Sequence, residues 1–460
     1  MSAPAAHSSA RSPSKPQRYR VAPATEVGGA LQLPGDKSIS HRALMLGGIA
    51  EGETRIEGFL ASEDCLATLA ALRALGVRIE RPAETEVRVQ GVGLTGLAGS
   101  PAPLDMGNAG TAMRLFMGLL AGQRFDSELI GDASLSRRPM QRVATPLERM
   151  GARIETQQGR PPIRIRGGAP LHGIDYELPI ASAQVKSALL LAGLYAHGTT
   201  RVTEPAPTRD HTERMLRAFG VQLEREPLDE RTGRTRISLT AAQTLRGRAI
   251  SVPGDFSSAA FFIVAGCLGA REALRLRNVG CNPTRTGLLR MLQLMGARID
   301  VQAAAAADPE NPSLEPTADL VVTASRLRGI RVPEALVPLA IDEFPAFFIA
   351  AAAAEGETVV TGASELRVKE SDRLAVMAEG LQRLGIECEL LADGMRIRGG
   401  SFKGGQVDSH GDHRIAMAFA IASLRASAPI EIEDVANVAT SFPGFPALAR
   451  AAGLYLQEQA

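Results

Sequence analysis

The hydrophobic positions of this chain repeat. Apolar residues at helical spacing run up to a glycine and then into a short alternating segment six times. The segments are TLAALRALGVRIE at 68–80, VATPLERMGARIE at 143–155, TERMLRAFGVQLE at 212–224, LLRMLQLMGARID at 288–300, MAEGLQRLGIECE at 377–389 and, less regularly, FPALARAAGLYLQ at 445–457. The periodicity predicts an amphipathic helix in each. The glycine suits the C′ position that stops a helix, and the alternation after it predicts a strand. An upstream half recurs as well: a polar loop opens an Ala/Leu-rich helix, a glycine usually closes it, and a β-branched strand follows. These openings are GDKS at 35, GNAGT at 107, SAQVK at 182, GDFSS at 254, IDEFP at 341 and GDHR at 411, spaced by 72, 75, 72, 87 and 70 residues. The longest interval holds the Ala/Pro-rich stretch 302–318, which reads as a surface loop insertion. The predicted unit is strand, helix, strand, helix, strand, with extra hairpin strands such as those around 221–239.

A second symmetry lies above the first. Leu33-Pro34-Gly35-Asp36 opens the first copy and Val252-Pro253-Gly254-Asp255 the fourth, and Pro-Gly suits a turn or hinge at both places. The expectation is an α/β protein of two lobes with three copies each. Residues 35–252 form one lobe, 18–34 with 253–460 form the other, and 1–17 form a flexible tail. Periodicity alone leaves a stacked solenoid open as the alternative.

Composition narrows the function. With 45% hydrophobic residues in 460, the chain has apolar material for more than one core. Lys+Arg is 51 against Asp+Glu 50, without the basic excess of a nucleic-acid binder. No apolar run reaches 18 residues, so no membrane span is expected. Cys65, Cys267, Cys281 and Cys388 form no C-x-x-C pair and read as buried reduced thiols of a cytoplasmic protein. Residues 1–20 are acid-free and rich in Ser, Arg and Lys, as transit peptides are. Pro13 and Pro16 break any amphipathic helix there and favour a tail.

The candidate chemistry falls where loops open helices, and a helix N-terminus suits phosphate and carboxylate. Lys37, Ser38 and Arg42 open the first such helix, with Ser38 and Arg42 four apart on one face. Asn108-Ala109-Gly110-Thr111 is a small-residue loop that lets backbone N–H groups approach an anion, and Arg137-Arg138-Pro139 follows. Ser182, Ala183 and Gln184 open the matching helix of the third copy; Ser182 reads equally well as an N-cap, and Gln184 offers donor and acceptor together. Asp342, ahead of Pro345, is either a cap or an acid–base residue. Arg367 to Arg373 is the densest stretch: a helix there would set Lys369, Glu370 and Arg373 on one side. His410, Asp412 and His413 lack the spacing of a known metal motif, which leaves Arg414, beside a helix start, as the candidate there. No P-loop or nucleophile elbow is present.

Taken together, LPGDKSISHRALML, GNAGTAMR, GDASLSRRPM, SAQVKSALLLAGL, RVKESDRL and GDHRIAMA closely resemble the 5-enolpyruvylshikimate-3-phosphate synthases, in order from about residue 30 to 446. SAQVKSA and TRDHTERML look like the branch often called class II, and GNAGTAMR like the other branch. The resemblance implies two lobes of three βαβαββ units each, an enolpyruvyl transferase-like inverse barrel, joined by two crossing strands and closing on substrate. It implies transfer of the enolpyruvyl group of phosphoenolpyruvate to the 5-hydroxyl of shikimate 3-phosphate, in aromatic amino-acid synthesis, by a monomer without metal or organic cofactor. By the same resemblance Lys37, Ser38, Arg42, Ser182, Ala183, Gln184, Arg209, Asp342 and Lys369 hold shikimate 3-phosphate. Lys37, Gly110, Arg138, Gln184, Arg373 and Arg414 frame phosphoenolpyruvate. Asp342 would take the hydroxyl proton and Glu370 handle the C3 proton, with Lys37 between the substrates. Gly110 in place of the alanine of herbicide-tolerant class II relatives implies sensitivity to glyphosate. Thr440 and Ser441 stand where many relatives carry a lysine contact to phosphoenolpyruvate. The alternatives are a UDP-N-acetylglucosamine enolpyruvyl transferase, whose usual loop cysteine is missing here, and a non-catalytic anion-binding protein.

Overall fold

A computed structural model describes residues 17–241, 243–303 and 315–459. Among these residues there are twelve α-helices, two per repeat: α1 (Lys37–Gly48), α2 (Glu63–Ala74), α3 (Gly110–Ala121), α4 (Gln141–Arg149), α5 (Ala183–Gly193), α6 (His211–Ala218), α7 (Phe256–Gly269), α8 (Gly287–Leu294), α9 (Phe344–Ala352), α10 (Arg373–Arg383), α11 (His413–Ala422) and α12 (Phe445–Ala452). The glycines expected to stop the second helix of each repeat (Gly76, Gly151, Gly220, Gly296, Gly385 and Gly453) all have left-handed φ, between 84° and 113°. A side chain there would strain the turn, which is why the residue recurs.

The two helices of a repeat differ in burial, as their patterns require. The first sits largely inside, and in α7 and α9 every residue is buried. The second is amphipathic and keeps one face to solvent. In one lobe α3 packs on α5, and in the other α9 packs on α7 and α11. The sheets lie outside this helical centre. There are six small mixed sheets, and no closed barrel forms among the described residues. Five share one order: an outer strand runs parallel to its neighbour, and two more follow antiparallel. In the sixth, isolated parallel bridges, Arg328 to Glu355 and Arg331 to Val359, stand where the fourth strand would be. This is the expected α/β fold of repeated βαβαββ units.

Sheet pairing reveals which ends of the chain belong together. Strand Arg18–Ala22 lies between Ile430–Glu433 and Tyr455–Gln459, and Val27–Gln32 pairs parallel with Ala270–Gly280. Strand Ala249–Ser251 returns to pair with Glu51–Glu57. The buried apolar residues accordingly form two clusters, one drawn from 39–252 and one from 19–33 with 256–456. Two segments pass between them and bond reciprocally: the Asp36 N–H donates to Pro253 O and the Asp255 N–H to Pro34 O, both at 2.8 Å. A Cβ on Gly35 would stand 1.8 Å from the Gly58 carbonyl oxygen, so only glycine permits this crossing. Of the surface loop expected at 302–318, residues 302–303 end one strand and 317–318 begin the next; 304–314 lie outside the described residues, as do residues 1–16 of the expected tail.

Candidate active site

The first helices of the repeats point their N-termini into the cleft between the lobes. Asp36, Ser182 and Asp412 each cap one, accepting from the N–H of Ile39, Val185 and Arg414 at 2.9, 3.4 and 3.0 Å. Asp342 does not cap its helix. Glu343 occupies the N-cap position of α9, without a side-chain bond, and this leaves the Asp342 carboxylate to the cleft. The stretch 367–373 also departs from the helical expectation. A 3₁₀ turn covers Ser364–Val368, and α10 starts only at Arg373, capped by Asp372. Lys369 and Glu370 therefore sit on an irregular loop, and the local contact of Glu370 with Arg373 forms without a shared helix.

The cleft holds two adjoining pockets. One is strongly polar, lined by Lys37, Ser38, Gly110, Arg114, Arg138, Glu370, His413 and Arg414 among others. The other is lined by Ile180, Ala181, Ser182, Ala183, Thr208, Val337, Pro338 and Ile341. Arg142, Gln184, Arg209, Asp342 and Lys369 line both. Asp342 is thus at the partition, where it accepts from Arg209 and, at 3.3 Å, from Arg373, with Lys369 Nζ at 3.6 Å. Burial pushes its carboxyl upward, but Arg209, Lys369, Arg414 and Arg373 outweigh burial and hold it well below the usual carboxylate range. Glu370 receives Arg373 Nη2 at 2.5 Å and Arg138 Nη1 at 3.4 Å. It too is pushed up by burial and held well down, by Arg373 and Arg138. Arg373 is wholly buried and also donates to Asp412 at 2.8 Å. Asp342 and Glu370 are therefore ionised carboxylates set among guanidinium groups, in a cleft that joins a cation-rich pocket to a partly apolar one.

Comparison with known proteins gives the family. The family model of EPSP synthase (3-phosphoshikimate 1-carboxyvinyltransferase) matches residues 21–448. The chain belongs to the EPSP synthase family. It is 60% identical over 440 residues to the 3-phosphoshikimate 1-carboxyvinyltransferase of Alkalilimnicola ehrlichii, covering 95% of this chain and 96% of that one. It is 58% identical to that of Methylococcus capsulatus, covering 95% and 98%. A solved EPSP synthase structure from Acinetobacter baumannii superposes with a TM-score of 0.84 at 52% identity, covering 96% of this chain and all of that one.

The other residues singled out in the sequence are distributed as follows. Lys37 pairs with Asp64 at the N-terminus of α2. Arg138 is buried while Arg137 is exposed; Pro139 follows a turn that directs Arg138 onto Asn108 Oδ1 at 2.6 Å. Gln184 spends both ends on protein, accepting from Arg114 at 2.9 Å and donating to Thr111 at 3.0 Å. Arg414 donates to the Asp342 carbonyl at 3.2 Å. Arg42 is buried and lines neither pocket: it donates to Thr212, Ser187 and the Ser38 carbonyl, and so braces Ser38 and α5 from behind. Ser182 and Ala183 line the partly apolar pocket. The notional chelators diverge, with His410 exposed near Glu379, Asp412 on Arg373 and His413 buried.

Several EPSP synthase cleft residues escaped the sequence reading. Asp64, Arg114, Arg142 and Arg285 line the polar pocket, and His413 was weighed only as a metal ligand. Arg114 lies one helical turn beyond Gly110 on α3, a spacing that could have flagged it, whereas Arg142 lies on α4, which starts only after Arg138 and Pro139. Burial beside Lys37 and Arg414 holds His413 well below the usual imidazole range, hence neutral, and its Nε2 has no hydrogen-bond partner among the described residues. Charge also crosses the cleft with alternating sign. Arg138 faces Glu370, Arg142 faces Glu365 at 2.8 Å and Arg209 faces Asp342, so the lobes do not simply present cations to each other.

Proposed function

We propose that the chain transfers the enolpyruvyl group of phosphoenolpyruvate to the 5-hydroxyl of shikimate 3-phosphate, releasing phosphate. The observation that carries this reading is Asp342: an ionised carboxylate on the partition between the two pockets, where the acceptor hydroxyl must meet the donor's C2. In this reading Lys37, Gly110, Arg138, Gln184 and Arg414 frame phosphoenolpyruvate in the cation-rich pocket, and Arg373, wholly buried and lining neither pocket here, joins them on binding. Ser182, Ala183, Gln184, Arg209, Lys369 and Lys37 with Ser38 hold shikimate 3-phosphate, and Arg42 supports that side through Ser38.

The hydroxyl oxygen attacks C2 as its proton passes to Asp342, while C3 takes a proton from Glu370 and becomes a methyl group. Glu370 then removes a C3 proton as the C2–O bond to phosphate breaks. Over the cycle the hydroxyl proton leaves with phosphate, and both carboxyl groups return to their starting state. Glu370 must first hold a proton, and the arrangement supplies a reason for it to do so. A substrate carboxylate and phosphate that engage Arg138 and Arg373 withdraw the two cations that keep Glu370 ionised, so its affinity for a proton rises on binding. Water exclusion and positioning come from closure of the lobes, with 35–252 moving against 18–34 plus 253–460.

Among the described residues no helix is long and apolar enough to cross a membrane, and the four cysteines are unpaired. We read the protein as a cytoplasmic monomer with small-molecule substrates and no nucleic-acid partner, consistent with its net charge of +1. Phosphate release from phosphoenolpyruvate tests the proposal. Release should require shikimate 3-phosphate and yield one enolpyruvyl ether per phosphate. Release that needs no acceptor, or that needs UDP-N-acetylglucosamine instead, would overturn it.

A further inference from the structure

Asn282-Pro283-Thr284-Arg285 lies in the loop before α8, outside every motif assigned above. Arg285 is 3% exposed and reaches the point where the two chain crossings meet. Its guanidinium donates to the Asp36 carboxylate and to Ser257 Oγ, with Asp255 Oδ1 at 3.5 Å and Glu343 Oε1 at 3.6 Å. Each partner is itself placed by the fold. Asp36 caps α1 immediately before Lys37, and Asp255 caps α7. Glu343 follows Asp342 and accepts from Ser257 Oγ, while its Oε2 has no hydrogen-bond partner among the described residues.

We propose that Arg285 is a positioning residue for the transfer reaction, holding the Lys37 end of one lobe and the Asp342 end of the other in one register by neutralising carboxylates contributed from both sides of the joint. The inference rests on the family reaction described above. Three carboxylates converge on one guanidinium, and Asp36 belongs to the lobe opposite to Asp255 and Glu343. Without the cation these acids repel across the crossing, and the lobes relieve the repulsion by moving apart into water. The planar fork matters: it meets Asp36 and Ser257 together, which a lysine ammonium cannot do with the same geometry. The neighbouring latch has the same construction. Asn282 donates to Asp210 and Glu315 at 2.7 Å, and Glu315 receives His211 Nδ1 at 2.6 Å, so the loop that carries Arg285 also holds the segment that follows Arg209.

The location of the group at a joint separates this role from a merely structural one. An arginine lost from a static core leaves buried carboxylates that destabilise the fold. Lost from a joint, it leaves acids that become hydrated as the lobes open. The competent population then falls, and apparent substrate affinity falls by the same factor, because only that fraction binds productively. Arg285→Lys and Arg285→Met should therefore keep a near wild-type melting temperature. Their KM for shikimate 3-phosphate should rise about tenfold or more while kcat changes several-fold less, since saturating ligand draws the lobes together. The radius of gyration from solution scattering should exceed that of the wild type at the same subsaturating shikimate 3-phosphate. Arg285→Met combined with Glu343→Gln, which removes one acid with the cation, should recover part of the lost KM. A fall in melting temperature with KM and scattering unchanged in Arg285→Lys would overturn the proposal, as would a double variant no better than Arg285→Met. If Arg285→Met fails to fold, Arg285→Lys decides by the same KM and scattering criteria. Wild-type turnover measured alongside tests the reaction itself, independently of Arg285.

Discussion

Replacing Asp342 with asparagine keeps the shape of the partition and removes its charge. Asp342 stands between Arg209, Arg373 at 3.3 Å and Lys369 at 3.6 Å. Two unit charges about 4 Å apart attract by roughly 4 kcal/mol at an effective dielectric of about 20, so the carboxylate is firmly ionised before substrate arrives. The same cations make it a weak base, until a bound dianion shares them. The variant cannot accept the hydroxyl proton, a role worth about 10²–10⁴ in rate, or roughly 3–5 kcal/mol at 1.36 kcal/mol per decade. Binding should move the other way. Three cations of the cleft (Arg209, Lys369 and Arg414), with Arg373 buried behind them, then act on the anionic ligands with one carboxylate fewer, and the asparagine amide still offers a hydrogen bond to a hydroxyl. The expected result is kcat lowered by 10²–10⁴, with KM for shikimate 3-phosphate unchanged or reduced. Phosphate-release kinetics give kcat, and calorimetric titration with shikimate 3-phosphate checks the affinity. An unchanged kcat would refute the proton-transfer role; so would a loss carried wholly by weaker binding.

Other expectations follow from single features. A Cβ on Gly110 would lie 2.9 Å from Arg138 Nη1 and 3.1 Å from Arg114 Nη1, and the backbone there is not left-handed. Gly110→Ala should therefore fold normally and weaken glyphosate inhibition more than phosphoenolpyruvate affinity; equal losses, or a wild type that already resists millimolar glyphosate, would count against the crowding argument. Lys186 is fully buried between Glu204 and Glu213 at 2.8 and 2.7 Å, so Lys186→Met should cost about 3–5 kcal/mol of stability by denaturant titration, and a smaller cost than 1 kcal/mol would mean that the pair opens to solvent. Asp342 and Glu370 are held well below their ordinary values of 3.8 and 4.5. Groups depressed in the folded state contribute stability above the unfolded value and lose it as pH falls toward the folded one. Melting temperature should therefore drop as pH falls below about 4.5, less steeply in Asp342→Asn, and equal slopes would exclude this carboxylate as a contributor.

Much of the fold was legible because its signals are local. A helix needs apolar positions three and four apart and a residue that tolerates left-handed φ at its end, and both requirements are met within a dozen residues at Gly76, Gly151, Gly220, Gly296, Gly385 and Gly453. The six helices with capping or small-residue starts were legible for the same reason, as were Lys37, Arg138, Asp342, Glu370, Arg373 and Arg414 as a set of candidates. Their individual geometry was not. Asp342 and Glu343 are adjacent, and which one sits at the cap depends on the preceding 3₁₀ turns rather than on residue type. Lys369 and Arg373 have helical spacing but do not share a helix, because Asp372 caps α10 at that point.

By itself the sequence determined the repeat, its six copies, the two helices of each, and the Pro-Gly turns at Pro34-Gly35 and Pro253-Gly254. These depend on periodicity and backbone sterics, which act between near neighbours. The tertiary structure alone decided which charges meet. Arg138 with Glu370, Arg142 with Glu365 and Arg285 with Asp36 are separated by 232, 223 and 249 residues. No local rule pairs groups so far apart. They meet because two lobes bring helix N-termini to one cleft, where burial strengthens each charge interaction and leaves ionised only the groups that find a partner.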